Sequence, residues 1–472
     1  MRYLIMTTLL ITASTCPMSA QNKIGTGAAE ELYQTYCASC HGKNLEGGLG
    51  GSLLDSTIYK QVGKTTNFLE YVKSGNLEVG MPPFKETLND PQIRSLEIYI
   101  NEVRQKTARE GKPLVAHIDG TYSAGGYQFK VETVLKDLER LWSIAFLPEG
   151  GALITEKNGA LRPFKDGELQ EAVKGTPKVW TNGQGGLLEV ALHPDYAKNG
   201  WIYLSYSQEG VKKNDKATGN TKIIRGRIRH NEWRDEQTLF EVREADNVSA
   251  GVHFGSRFAF KDGYLFFSIG DRGIQAQAQD VTKPNGKVHR IHDDGRIPRD
   301  NPFVDVEGAY PTIWAFGNRN PQGLDFHPET GELWESEHGP RGGDEINVIE
   351  VGNNYGWPVI TYGMHYNGKP ITELTAKEGM EQPKHYWTPS IAVCGIDFYE
   401  GDNFSNWKNN LLVGGLASQE LHRLVIEDGK VVEDEIILHN VGRIRDVASG
   451  PDGNIYVITD RPGKILRIVP AK

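Results

Sequence analysis

Cysteine is scarce, with four in 472 residues at positions 16, 37, 40 and 394. A zinc module needs a second pair of ligands at matching spacing, and here Cys394 stands alone downstream of the Cys37/Cys40 pair, so zinc is disfavoured. Past the apolar run Leu4 to Ile11, no stretch is long enough to span a bilayer, which excludes a transmembrane helix from the mature chain. No block of Lys or Arg stands out against a net charge of −9. The concentrated basic surface that nucleic acid requires is therefore missing. Leucine-rich helical repeats are absent as well. The 54 glycines point instead to many tight turns and a largely all-β body.

What is present begins at the N-terminus. Arg2, the apolar run and Ser19-Ala20 ahead of a polar stretch have the layout of a secretory signal peptide over residues 1–20, cleaved after Ala20. Cys16 lacks the Leu and small residue expected in front of a lipidated cysteine. The mature protein is thus expected in the periplasm or secreted. Next comes Cys37-Ala38-Ser39-Cys40-His41, the C-x-x-C-H pattern in which two thiols on one short turn carry a haem through thioether bonds and the next histidine ligates its iron. A soft sixth ligand is expected some tens of residues on. Met81 in Gly80-Met81-Pro82-Pro83 fits, because the flanking prolines fix the loop that presents its thioether. An Asp90 cap with Pro91 in the first turn predicts a helix burying Ile93, Leu96, Ile100 and Val103. Residues 21–108 resemble a class I cytochrome c, an all-α unit with one covalent haem c. Residues 109–121, polar and broken by Gly111 and Pro113, read as a linker.

Over residues 122–472 one local pattern recurs, a turn rich in Pro, Asp, Asn or Gly followed by a short apolar or alternating strand. It starts at Leu147, His193, Lys261, His327, Asn409 and Gly450. Six copies at irregular spacing predict an all-β six-bladed β-propeller whose blades differ in their loops. Dense polar clusters lie between these strands. They include Asn182–Leu187, Val252–Gly255, Gly317–Gly323, Glu337–Asn347, Asn353–Pro358 and Arg443–Val447.

Taken together and in order, these clusters resemble the soluble quinoprotein sugar dehydrogenases, specifically the aldose branch that uses pyrroloquinoline quinone (PQQ). The resemblance implies a PQQ site at Arg319, Asn320, Ser390, Ala417, Arg443 and Arg445. Guanidinium forks suit the three carboxylates of that flat quinone. It implies a calcium ion held by the carbonyls of Gly339 and Pro340, and a second, structural calcium position at Glu345 and the carbonyl of Tyr355; hard cations take such oxygen ligands. His253 matches the family's general base. Gln184 would bind the sugar and Tyr366 would line its entry. The expected activity is oxidation of an aldose to its lactone, with electrons passing from PQQ to the fused haem and on to a cytochrome, a copper protein or an oxidase.

Three departures from the glucose branch stand out. Val252 precedes the histidine where an Asp is found there, Ala417 replaces a PQQ-binding Lys, and Ser390 replaces a Thr. These changes fit the aldose branch better and leave the sugar open. Competing readings are a haem-bearing glycan-binding propeller without turnover, and a sorbosone or other aldehyde dehydrogenase on the same scaffold. Arg319 and Arg445 could alternatively serve in a buried ion pair with acids such as Asp446. Cys394 is expected to be a buried free thiol.

Overall fold

Each of the six recurrent turns folds into the same object, the hairpin joining the innermost strand of a blade to its second strand. In the first blade Leu141–Phe146 turns into Ala152–Glu156, and in the last Ile444–Ser449 turns into Ile455–Asp460. The computed structural model describes residues 27–54, 67–110 and 120–471; the leader and most of the expected linker lie outside them. Five four-stranded sheets and one five-stranded sheet, all antiparallel, form the six-bladed propeller. Among the described residues no helix is long and apolar enough to cross a membrane.

The second strands explain why the sequence reads as apolar runs as well as alternation. Ala152–Glu156, Leu333–Glu337, Leu411–Gly415 and Ile455–Asp460 are buried at every position, since each blade is covered on both faces by its neighbours. The apolar core is accordingly divided into six wedges, one between each pair of adjacent blades. Ile154 and Leu141 meet Ile458 and Ile465 between the first and last blades, and Trp334 meets Val393 and Leu411 between the fourth and fifth.

The ring is closed by its own ends. Tyr127–Leu138, from the start of the propeller, pairs antiparallel with Gly463–Pro470, in a register running from Phe129 opposite Pro470 to Leu138 opposite Gly463. Thr121–Ala124 adds the outermost strand. Phe129 is fully buried against Trp407 and Phe404 of the fifth blade, with ring centroids 5.9 and 6.4 Å apart.

The N-terminal described segments are helical: α1 (Gly27–Tyr36), α2 (Ala38–His41), α3 (Phe68–Ser74) and α4 (Asp90–Glu110). Ile93, Leu96 and Ile100 of α4 are buried with Ala29 and Tyr33 of α1, as their helical spacing predicts. The cap differs from expectation. Asn89, not Asp90, caps α4, its Oδ1 accepting from the Gln92 N–H at 3.0 Å while Gln92 Oε1 accepts from the Asn89 N–H at 2.9 Å. This reciprocal capping box leaves Asp90 to pair with Lys73 at 3.1 Å.

Closure through Phe129 carries a direct test. Phe129→Ala is expected to destabilise the propeller by about 3–5 kcal/mol, the usual cost of emptying an aromatic core site, seen as a lowered unfolding midpoint in denaturant.

Candidate active site

The loop Asn247–Ser256 between the second and third blades carries His253, held at φ +53°, a conformation that costs a non-glycine residue energy and needs support from its surroundings. That support is specific. The His253 N–H donates to Gln184 Oε1 at 2.7 Å. The buried Arg272 guanidinium donates to the carbonyls of Val252 (2.9 Å) and Ala250 (2.6 Å) and lies 3.5 Å over the Phe254 ring. Burial pushes Arg272 down to about 9, and the neighbouring Asp271 charge opposes that shift.

Asp271 is the functional residue that the sequence did not disclose. Its Oδ1 lies 2.6 Å from His253 Nδ1, its Oδ2 accepts from Trp357 Nε1 at 2.8 Å, and Oδ1 also accepts from the Gly273 N–H at 2.7 Å. Burial pushes this carboxyl up, yet the hydrogen bond and charge of His253 and the nearby Arg319 outweigh it and hold Asp271 below the usual carboxylate range. Burial lowers the pKa of His253, with help from the charges of Arg319 and Arg272, while Asp271 pulls the other way. The imidazole is therefore neutral at physiological pH, with its proton on Nδ1 facing Asp271 and Nε2 left as the basic nitrogen. The only sequence cue was a short polar turn, Gly270-Asp271-Arg272-Gly273, after an apolar strand.

Beside this loop a cavity of about 250 Å³ opens, lined by Gln184, Phe254, Asn320, His338, Leu416, Arg443 and Arg445, and also by Arg140, Lys157, Asp460 and Arg461. Five cations face one carboxylate, Asp460, which Arg140 engages at 2.8 Å. Burial and the Arg140 charge push Lys157 down to about 8. At the cavity Nε of Arg443 and Arg445 and Nε2 of His338 are buried without a hydrogen-bond partner, as is Nε of Arg319, next in the chain to Asn320 of the cavity wall. Buried donors are normally satisfied. Guanidinium groups with an unsatisfied Nε around a cationic cavity fit a flat polycarboxylate such as PQQ. Asp446 does not pair with Arg445. It takes Arg257 at 2.8 Å, and Arg445 donates to Gln322 Oε1 at 3.1 Å. Cys394 is buried below them, its Sγ 3.4 Å from Arg445 Nη1.

Arg319 reaches toward the expected calcium position, donating from Nη1 to the carbonyls of His338 (2.9 Å) and Gly339 (2.8 Å). Ser390 Oγ donates to the Pro340 carbonyl at 3.1 Å. A carbonyl oxygen has two lone pairs, so Gly339 and Pro340 each retain one for a cation. Around them Asp344 is pushed up to about 6 and Glu335 and Glu345 to about 8, by burial first, and Glu337 is raised as well. Three buried acids and the half-buried Glu345 on one hairpin fit a nearby cation, although among the described residues no three His, Cys, Asp or Glu side chains cluster as a metal site by themselves. Tyr355 is buried between the third and fourth blades. Ala417 sits next to Leu416 of the cavity wall and offers only a methyl group. Tyr366 is not brought to the cavity. It is 61% exposed in a loop drawn instead toward α1, where the Ala28 N–H donates to the Asn367 carbonyl at 3.2 Å.

In the helical unit, His41 Nδ1 lies 2.8 Å from the Gly51 carbonyl, which sets the tautomer and leaves Nε2 for a metal. A Cβ on Gly50 would lie 2.8 Å from the imidazole Cε1, so the loop must be glycine there to let the ring stand. Cys37 and Cys40 are unbridged thiols on the same turn, and Met81 packs on the same apolar cluster as Cys37. This donor set fits a covalently attached haem.

Comparison with known proteins shows the family and the fold. The family described as Glucose / Sorbosone dehydrogenase matches residues 138–467, and the family described as Cytochrome C oxidase, cbb3-type, subunit III matches residues 26–100. The aldose sugar dehydrogenase YliI of Escherichia coli (strain K12) is 43% identical over 349 residues, covering 72% of this chain and 92% of that protein. Quinoprotein glucose dehydrogenase B of Acinetobacter calcoaceticus is 29% identical over 419 residues, covering 72% and 87%. The crystal structure of the soluble aldose sugar dehydrogenase from Escherichia coli in the apo-form matches with a TM-score of 0.69 at 42% identity, over 73% of this chain and 100% of that one. The PQQ-bound aldose sugar dehydrogenase of Streptomyces coelicolor shares the fold, with a TM-score of 0.59 at 24% identity over 76% and 99%. The chain belongs to the glucose/sorbosone dehydrogenase family, and it carries a cytochrome c domain of the cbb3-type subunit III kind at its N-terminus.

Proposed function

We propose that this protein is a periplasmic PQQ- and calcium-dependent aldose sugar dehydrogenase that oxidises aldoses to lactones and passes the electrons through its own haem c to an external one-electron acceptor. In this reading residues 1–20 are the leader, 21–108 the cytochrome unit and 122–472 the catalytic propeller. The observation that carries it is the His253–Asp271 pair beside a cavity whose arginines keep Nε without a hydrogen-bond partner. Neutral His253, fixed by Asp271 and Gln184, takes the proton of the anomeric hydroxyl on Nε2. Gln184, already bound to the His253 N–H, orients the sugar against that nitrogen. Arg319, Arg443 and Arg445, with Asn320, would hold the carboxylates of PQQ, while Gly339 and Pro340 would offer carbonyls to calcium. Bound there, PQQ would supply the two-electron oxidant for the C1 hydride and calcium would polarise the accepting carbonyl. Over a turnover the aldose loses two electrons and two protons; the electrons leave one at a time to the acceptor and the protons to solvent.

The testing experiment is anaerobic stopped-flow of protein loaded with PQQ and Ca²⁺, mixed with a panel of aldoses while haem absorption is followed. Haem reduction that needs both PQQ and sugar, at a rate independent of protein concentration, is expected. Absence of reaction with haem and with artificial dyes alike would favour a glycan-binding propeller.

Three variants sharpen the assignment. His253→Ala should retain PQQ, by equilibrium binding, and lose about 10²- to 10⁴-fold in kcat. Because the proton must land on neutral His253 and its pKa is depressed, the acid limb of kcat/KM should lie below about pH 6.5, the ordinary histidine value. Asp271→Asn removes the one influence holding that pKa up and fixes the wrong tautomer, so the limb should move lower still while kcat drops by about 10²- to 10⁴-fold. A pH profile unmoved by Asp271→Asn would sink the pairing. Met81→Ala should lower the haem potential, measured by redox titration, since Met/His ligation raises it.

A further inference from the structure

The helical unit does not hang free of the propeller; it is seated on the loop that follows His338 of the cavity wall. Arg341, two residues beyond Gly339, is only 5% exposed and its Nε donates to Glu102 Oε1 of α4 at 2.8 Å, while its Nη2 engages Glu102 Oε2 as well. Met364, 1% exposed, is paired to Arg341 through both backbone hydrogen bonds (3.0 and 2.9 Å) and is buried in the apolar cluster of the helical unit with Ala29, Tyr33 and Ile98. Arg94 of α4 donates to the Glu373 carbonyl at 2.8 Å, and the Ala28 N–H to that of Asn367. The approach is close enough to dictate sequence. Gly342 sits at φ +83°, and a Cβ there would lie 3.0 Å from Ile98 Cδ1.

An apolar centre, a bidentate ion pair between buried Arg341 and half-buried Glu102, and flanking hydrogen bonds to two main-chain carbonyls are the parts of a built interface. The propeller side of it is continuous with the cofactor loop. Arg319 donates to the carbonyls of His338, a cavity residue, and Gly339, and Ser390 to that of Pro340, so the backbone from the cavity to Arg341 is pinned. Removing the Glu102 carboxylate from a guanidinium at this depth would be costly, which gives the propeller a reason to keep Glu102 in place.

We propose that α4 and the loops 338–345 and 361–373 form a specific docking surface that holds the haem-bearing unit against the rim of the PQQ cavity, with the Glu102–Arg341 pair as its latch. The proposal rests on the functional reading above for its purpose, but not for its geometry. The helical unit thereby becomes a fixed neighbour of the cavity and not a tethered one, which replaces a linker-limited local concentration with a single orientation.

The test uses the full chain with haem attached. Small-angle scattering compares wild type, Glu102→Lys and the exchanged pair Glu102→Lys/Arg341→Glu, and stopped-flow then follows haem reduction by aldose beside dye-linked sugar oxidation. Glu102→Lys is expected to enlarge the radius of gyration and slow haem reduction by about tenfold or more, with dye-linked oxidation held within about twofold; the exchanged pair should return both toward wild type. A Glu102→Lys protein with unchanged dimensions would overturn the docking, and an expanded one whose haem is reduced at the wild-type rate would overturn its role. If wild type reduces neither haem nor dye, the functional reading falls, and scattering alone decides whether the latch exists.

Discussion

One guanidinium organises the propeller. Arg257, at the entry to the third blade's innermost strand, donates from Nη1 to Glu189 of the second blade (2.7 Å) and Asp446 of the sixth (2.8 Å), and from Nε to the Gln322 carbonyl of the fourth (2.7 Å). Its Nη2 donates to the Arg445 carbonyl at 2.7 Å and lies 3.9 Å from Cys394 Sγ of the fifth blade, and its carbon sits 4.2 Å over the Trp142 ring of the first. All six blades meet at this side chain. Two carboxylates and two carbonyls satisfy the buried cation, and its planar fork tolerates little displacement of any of them. Gln322 and Arg445 are in turn cavity walls. The centre of the ring and the floor of the candidate active site are therefore one hydrogen-bonded object.

That arrangement accounts for how a site of this kind can be assembled from distant pieces of chain. His253 and Asp271 flank the third blade's first hairpin, Arg319 and Asn320 lead into the fourth, and Arg443 and Arg445 come from the sixth. No one blade holds the chemistry. The wedges of apolar side chains set the spacing of the blades, and the polar centre sets their register, so the orphaned guanidinium nitrogens are aimed before any ligand arrives. Such preorganisation is what makes charge stabilisation effective, because the dipoles and charges need not reorganise when a ligand arrives.

Much of this was legible in the sequence wherever function demands adjacency along the chain. The C-x-x-C-H turn is one, and the six turns that became six equivalent hairpins are others. The rest failed for physical reasons. Asp271 meets His253 only because the strand Tyr264–Ile269 runs back to deliver it, and nothing local marks that return. Asp446 looked like a partner for Arg445, but neighbours on a strand face opposite ways, and Asp446 turns to Arg257 instead. Asn89 displaced Asp90 as the helix cap because Gln92 completes a reciprocal pair with it. Tyr366 was read from its motif alone, whereas its loop lies against α1 with the tyrosine exposed.

The closing strand has a consequence for how the molecule is made. Tyr127–Leu138 emerges early in synthesis, yet its partner is Gly463–Pro470, among the last residues of the described chain. The helical unit precedes both and can settle first, as N-terminal domains do. The propeller, by contrast, must hold five blades in waiting, with Phe129 and its aromatic neighbours uncovered, until the final strand arrives. During that interval the most aggregation-prone surface in the protein is the gap in its own ring.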